Sequence, residues 1–242
     1  MTRHVTTCTW DDVPHLTEKA KADLLASFPP HMRDARSKGI PSIGAGAIYP
    51  VSEEAYLEEP IELPVFWPRV YGLDVGWNRT AAIWLAYDRD TDTAHAYAEH
   101  YVGQADPAVH AAAIRARGDW MPGVIDPASR GRSQHDGQQL WQRYCDLGLH
   151  LTMADNAVEA GLFDVLQRLS TGRLRIFNTL RHTLGELRIY RRDERGRVVK
   201  QNDHLMDALR YGVMSGLAVA RCRPDAVQVM APRRDWHPHA GL

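Results

Sequence analysis

The sequence predicts an α/β domain built on one mixed sheet: three antiparallel strands, then βα crossovers, with helices on both faces. Two observations predict it. Apolar runs over Val70–Val75, Ala81–Tyr87 and Ala94–Val102 follow one another through short connections, as in an antiparallel meander. After them, short apolar runs alternate with helix-length segments opened by capping residues, the pattern of strands joined by crossovers.

Taken in order, residues 1–69 read as an irregular arm, broken by prolines from Pro14 to Pro68 and by Gly39, Gly44 and Gly46. One helix is expected there, about Thr17–Ser27, with Thr17 as its cap. The acids Glu53, Glu54, Glu58, Glu59 and Glu62 read as a solvated linker face. The regular domain is expected over 70–222. Its first strand, Val70–Val75, lies between Pro68 and Gly76 and is apolar except at Asp74. Asp90-Thr91-Asp92-Thr93 turns the second strand into the third. Asp106-Pro107 then opens a helix, with a capping acid before a proline at the first helical position.

Gly123–Ile125 is a buried strand ending at Asp126-Pro127. Asp136 and Asn156 each have capping-box spacing, opening helices stopped by Gly148 and Gly172. His150–Met153 is the strand between them, and Leu174 and Ile176 belong to another. Leu180, Leu184 and Leu187 form one helix face. Arg195-Gly196 reads as a hairpin turn between Arg188–Arg192 and Arg197–Lys200, and a long helix follows over Asp203–Ala220. Residues 223–242 are expected to be a disordered tail.

Composition bounds the function. The 242 residues carry a formal net charge of -1, which excludes a uniformly basic nucleic-acid binder but not a local basic face. Cys8, Cys145 and Cys222 are too few and too scattered for a zinc site or a disulfide framework, and they fit a reducing compartment. No signal peptide or membrane span is evident, so a cytosolic, soluble protein is expected.

Candidate chemistry rests on acids placed at the ends of core elements. Asp74 puts a carboxylate where its neighbours demand hydrocarbon, which is costly unless a cation or donors compensate it. Asp126 ends the fourth strand. Asp203 and Asp207, four apart, share one face of the final helix. Converging carboxylates repel one another, and hard divalent cations such as Mg²⁺ or Mn²⁺ relieve that cost. Each acid also has a structural reading: Asp74 and Asp126 as turn formers, Asp203 as helix N-cap, Asp207 as an exposed helix acid.

Gly72-Leu73-Asp74-Val75-Gly76, Val124-Ile125-Asp126-Pro127-Ala128 and Asn202-Asp203-His204-Leu205-Met206-Asp207-Ala208-Leu209-Arg210-Tyr211 together resemble the nuclease domain of tailed-phage terminase large subunits. The resemblance spans roughly Tyr71–Ala220. It implies an RNase H-like (retroviral integrase-like) fold and metal-dependent endonucleolytic cutting of concatemeric double-stranded viral DNA during packaging, with two Mg²⁺ or Mn²⁺ ions. Asp74, Asp126 and Asp207 take the family's three acids, with Asp203 and His204 as auxiliary candidates. Asp207 is preferred to Asp203 because Ala208 beside it permits close packing on the sheet. The resemblance further implies a terminase small subunit and a portal or procapsid as partners, in the host cytoplasm.

Residues 9–50 resemble the stretch joining that family's ATPase motor to its nuclease. No G-x-x-x-x-G-K-[ST] phosphate loop occurs in the sequence, so only the cutting step is expected of it, as a fragment or the product of a truncated or split gene.

Arg173–Lys200 holds nine basic residues against Glu186, Asp193 and Glu194. Arg188, Arg191, Arg192, Arg195, Arg197 and Lys200 are expected to touch phosphates, and Arg130 and Arg132 to lie near the scissile strand. A junction resolvase or transposase is a rival within the same fold. Gly72–Gly76 with Thr80 also resembles the first phosphate loop of actin-like ATPases and sugar kinases, but no second such loop follows. A catalytically idle docking domain is the third alternative.

Overall fold

The computed structural model describes residues 9–27, 37, 46–131 and 139–224. Seven strands form one sheet: β1 (Leu57–Glu58), β2 (Arg69–Asp74), β3 (Thr80–Asp88), β4 (Thr93–Val102), β5 (Gly123–Ile125), β6 (Leu151–Met153) and β7 (Leu174–Phe177). Their order across the sheet is β1-β7-β4-β3-β2-β5-β6. The three long strands pair antiparallel, and β5, β6, β7 and β1 join parallel on either side. This is the mixed sheet expected, with one strand more at its edge.

Successive residues of the central strands feed two cores. On one face Val70, Ala81, Ile83 and Leu85 meet the helices Val158–Ser170, Arg181–Ile189 and His204–Tyr211. On the other Tyr71, Leu73, Ala82 and Trp84 meet Pro107–Arg115 and Leu140–Asp146. Burial on both faces is why β2 and β3 read as continuous apolar runs rather than alternating ones. Asp106 accepts from the Ala108 amide at 2.9 Å, so the acid-proline start of its helix works as its spacing implies. Thr17 likewise caps Glu18–Ser27 through the Ala20 amide.

Several sequence expectations are corrected. The Asn156 capping box does not form; Asp155 Oδ1 takes the Ala157 amide instead, at 2.9 Å. Arg188 is in a helix, and the hairpin shrinks to a bridge between Arg192 and Val198 around Gly196. The final helix is His204–Tyr211, followed by a π-turn over Gly212–Gly216 and a last turn over Leu217–Val219.

Of the acids read as a solvated face, three pair with side chains of the regular domain. Glu53 pairs with Arg188, Glu58 with His95 at 2.7 Å, and Glu59, which is exposed as expected, accepts from Asn178 at 2.6 Å. Ile48, Tyr49 and Tyr56 of the same segment are buried. Asp136 and the 225–242 tail lie outside the described residues. No helix among the described residues is long and apolar enough to cross a membrane.

His100 Nε2 and His110 Nδ1 lie 2.9 Å apart, one ring donating to the other. Protonating both rings sets two N–H groups against each other. Burial, with His110 and Arg117 nearby, pushes His100 down to about 4. A histidine depressed in the folded state binds its proton more readily unfolded, so stability is full above 6.5 and falls as pH drops towards about 4. Thermal melts from pH 7 to pH 4 are expected to show this fall, and His100→Phe is expected to flatten it.

Candidate active site

The acids sit where parallel strands deliver them. β2 and β5 pair in register, Leu73 beside Ile125, so Asp74 and Asp126 leave the sheet side by side at the carboxyl ends of neighbouring strands. The Asp126 amide donates to Leu73 O at 3.3 Å, and its Oδ1 accepts from the Ala128 amide at 3.0 Å. That carboxylate therefore does cap the turn after its strand.

The final helix crosses the same end of β2. His204, at its start, places Nδ1 2.9 Å from Asp74 Oδ2. The helix lies almost on the strand's backbone: a Cβ on Gly72 would stand 1.9 Å from Ala208 O. Gly72 thus permits the close approach from the strand side, where the helix presents the fully buried Ala208.

Asp207 is held from two sides. Lys200 Nζ reaches Oδ2 at 2.8 Å, and Arg210 Nη2 reaches Oδ1 at 2.9 Å. Lys200 also lies 3.2 Å from Asp203 Oδ2. The Arg210 side chain is 1% exposed, over the Tyr211 ring, in space left by Gly161. Asp203 precedes the helix but makes no side-chain cap bond, against its simplest structural reading.

Charge is concentrated here at high cost. Burial pushes the Asp74 carboxyl above the usual carboxylate range, His204 pulls it back, and Asp207 and Asp126 push it further up. The hydrogen bond to Asp74 in turn raises His204. Asp74 therefore feels the negative charge of Asp126 and Asp207, three elements brought to one place. As arranged, no three His, Cys, Asp or Glu side chains among the described residues are set to hold a metal ion. The oxygens of Asp74 and Asp207 are engaged by His204, Lys200 and Arg210. In type, though, the set is all hard oxygen, the donor chemistry of Mg²⁺ and Mn²⁺, and its mutual repulsion is what a divalent cation relieves.

Glu186 is the residue that sequence reasoning missed. It is buried and accepts from the Leu205 and Met206 amides at 2.7 and 3.3 Å, capping the helix His204–Tyr211 from another helix. The sequence carries little signal for it beyond an acid standing between Leu184 and Leu187, two positions of a buried helix face. Glu186→Ala strands both amides and is expected to cost about 1–3 kcal/mol in urea unfolding. Glu186→Gln, which keeps an acceptor, is expected to cost less.

The basic residues divide. Arg188 and Arg192 form two-point pairs with Glu53 and Glu159. Arg191, Arg195 and Arg197 are exposed, though Arg197 Nε lies 3.3 Å from Asp193. Arg130 is exposed beside the Trp141 ring, and Arg132 lies outside the described residues.

Residues 71–215 match the terminase RNase H-like domain family. The chain belongs to that family. Terminase large subunits of Enterobacteria phage LP7 and Salmonella phage P22 are each 34% identical to it, over 215 and 212 residues. These alignments cover 85% and 84% of this chain but 45% and 42% of the relatives, so this terminase-family chain spans less than half their length. The P22 large terminase nuclease domain is similar in structure, with a TM-score of 0.69 at 29% identity, covering 75% of this chain and 97% of that one. The fold is the RNase H-like fold of that domain.

Proposed function

We propose that this chain is the cutting module of a terminase large subunit: a two-metal-ion endonuclease that cleaves double-stranded viral DNA concatemers during genome packaging. The observation that carries the reading is that Asp74 and Asp126 leave paired strands side by side while the helix bearing Asp207 lies on the first of them and reaches Asp74 through His204, in a family whose P22 member has a nuclease domain. Two ions, Mg²⁺ or Mn²⁺, would supply a nucleophilic water and stabilise the leaving oxygen of the phosphodiester.

Asp74, Asp126 and Asp207 would hold those ions, with Asp203 beside them. β2 and β5 are rigid, so two of the ligands are positioned before substrate arrives. His204 orients Asp74. Arg210 aims Asp207 from behind, and Lys200 supplies positive charge opposite Asp203 and Asp207, where an ion would take its place. Arg191, Arg195, Arg197 and Arg130 are the exposed candidates for phosphate contact. Arg188 and Arg192 must leave carboxylates to take part. The terminase small subunit and a portal or procapsid are the partners of the complete packaging system.

Incubation with supercoiled and linear duplex DNA tests the reading. Nicked and cut products are expected with Mg²⁺ or Mn²⁺ and none with EDTA. Uncut DNA in the presence of either ion overturns it.

A further inference from the structure

At the far end of β2 from Asp74, on the opposite face of the sheet, lies a cleft of about 810 Å³. Arg69, Arg115 and Arg117 line it together with Arg223, and Asp119 is the one acid among its described lining residues. Each of the first three guanidiniums is fixed by neutral groups. Arg69 donates to Leu63 O at 3.3 Å beside the Tyr97 ring. Arg115 donates to Leu147 O at 3.1 Å. Arg117 donates to Glu99 O at 3.1 Å and lies 4.6 Å over the Trp84 ring. The nearby Glu99 carboxylate is taken by the His182 and Thr183 amides.

Carbonyls and rings orient an arginine without cancelling its charge. Elsewhere Arg143, Arg168, Arg188 and Arg192 are paired with carboxylates. Arg115 reaches the C-cap carbonyl of the helix Leu140–Asp146, which carries only a partial negative charge, and Arg117, past the end of its helix, reaches a strand carbonyl. Three oriented guanidiniums, none in an ion pair with a carboxylate among the described residues, make an oxyanion site in one open cleft, with further N–H donors on each fork. Among the described residues its walls carry little apolar surface besides Ala112, Ala116, Trp120 and Pro224, which is poor ground for a protein interface core.

We propose that this cleft grips backbone phosphates of DNA at a second site, about 17 Å from the acids along β2, holding substrate without cutting it. The inference rests on DNA being this chain's substrate. Arg115 and Arg117 are exposed and can be changed without opening the core.

The test is binding of a short duplex in EDTA over a salt series, so that no cleavage is needed. The log–log salt slope of R115Q/R117Q is expected to be shallower by about 1.8, and that of each single variant by about 0.9. Affinity of the double variant near 0.1 M salt should fall about tenfold or more, and R115K/R117K should restore most of the slope. An unchanged slope in a folded R115Q/R117Q protein overturns the proposal. So does arginine-dependent binding of polyglutamate without such binding of the duplex, which would mark an acidic protein face. DNA cutting by the wild type together with an unchanged slope removes this site alone. A changed slope without cutting removes the nuclease reading alone.

Discussion

Asp74→Asn is expected to lose duplex cleavage by about 10²–10³-fold or more, the rate equivalent of several kcal/mol of transition-state charge stabilisation, while the protein melts no lower than the wild type. The two halves come from one cause. Burial and the neighbouring Asp207 and Asp126 push the Asp74 carboxyl upward, so the folded protein holds its charged form at a cost. A group raised in this way opposes folding at neutral pH, and the isosteric neutral amide removes that opposition while still accepting from His204.

Asp207→Asn is expected to differ. It too should abolish cutting, but it removes the counter-ion of Arg210, whose side chain is 1% exposed. Breaking a buried pair from one side costs about 3–5 kcal/mol. Cleavage assays and melts on both variants, side by side, check the pair. Wild-type cutting by Asp74→Asn would remove it from the catalytic set. An undiminished melting temperature in Asp207→Asn would show that Arg210 does not depend on it.

What the sequence disclosed and what it hid follow from range. The strands and most caps are local patterns, and Asp106-Pro107 or the Val70–Val75 run carries its meaning within a few residues. Asp74 was visible because it contradicts its neighbours. The partners that hold the acids were not visible, because they come from distant chain: His204 is 130 residues from Asp74, and Glu186 is 19 from the amide it caps. Lys200 read as one more phosphate contact in a basic segment, yet in the fold it faces Asp203 and Asp207. The edge strand β1 was hidden for a related reason. Two residues, Leu57 and Glu58, have no period to read, and their pairing with Ile176 and Phe177 is set from across the chain.

Gly72 was legible and went unread. A glycine inside a strand marks a bulge or a close backbone approach, and here it marks the second. The Cβ of Gly72→Ala would meet Ala208 O at 1.9 Å and Gly212 N at 3.0 Å, both backbone atoms that no rotamer can move aside. The helix would have to lift from the sheet. Overpacking a filled core costs about 1–3 kcal/mol, occasionally more, and contact with backbone places this substitution at the upper end or beyond.

The same displacement carries His204 and Asp207 away from Asp74 and Asp126. Gly72→Ala is therefore expected to lose stability in urea unfolding and, in whatever fraction stays folded, to lose cleavage as well, though it alters no acid. Gly185→Ala is the matched control, a helical glycine whose added Cβ would have nothing within 4 Å. It should leave both properties near wild type. Equal behaviour of the two variants would mean that the helix does not rest on Gly72, and the convergence of the acids would need another support.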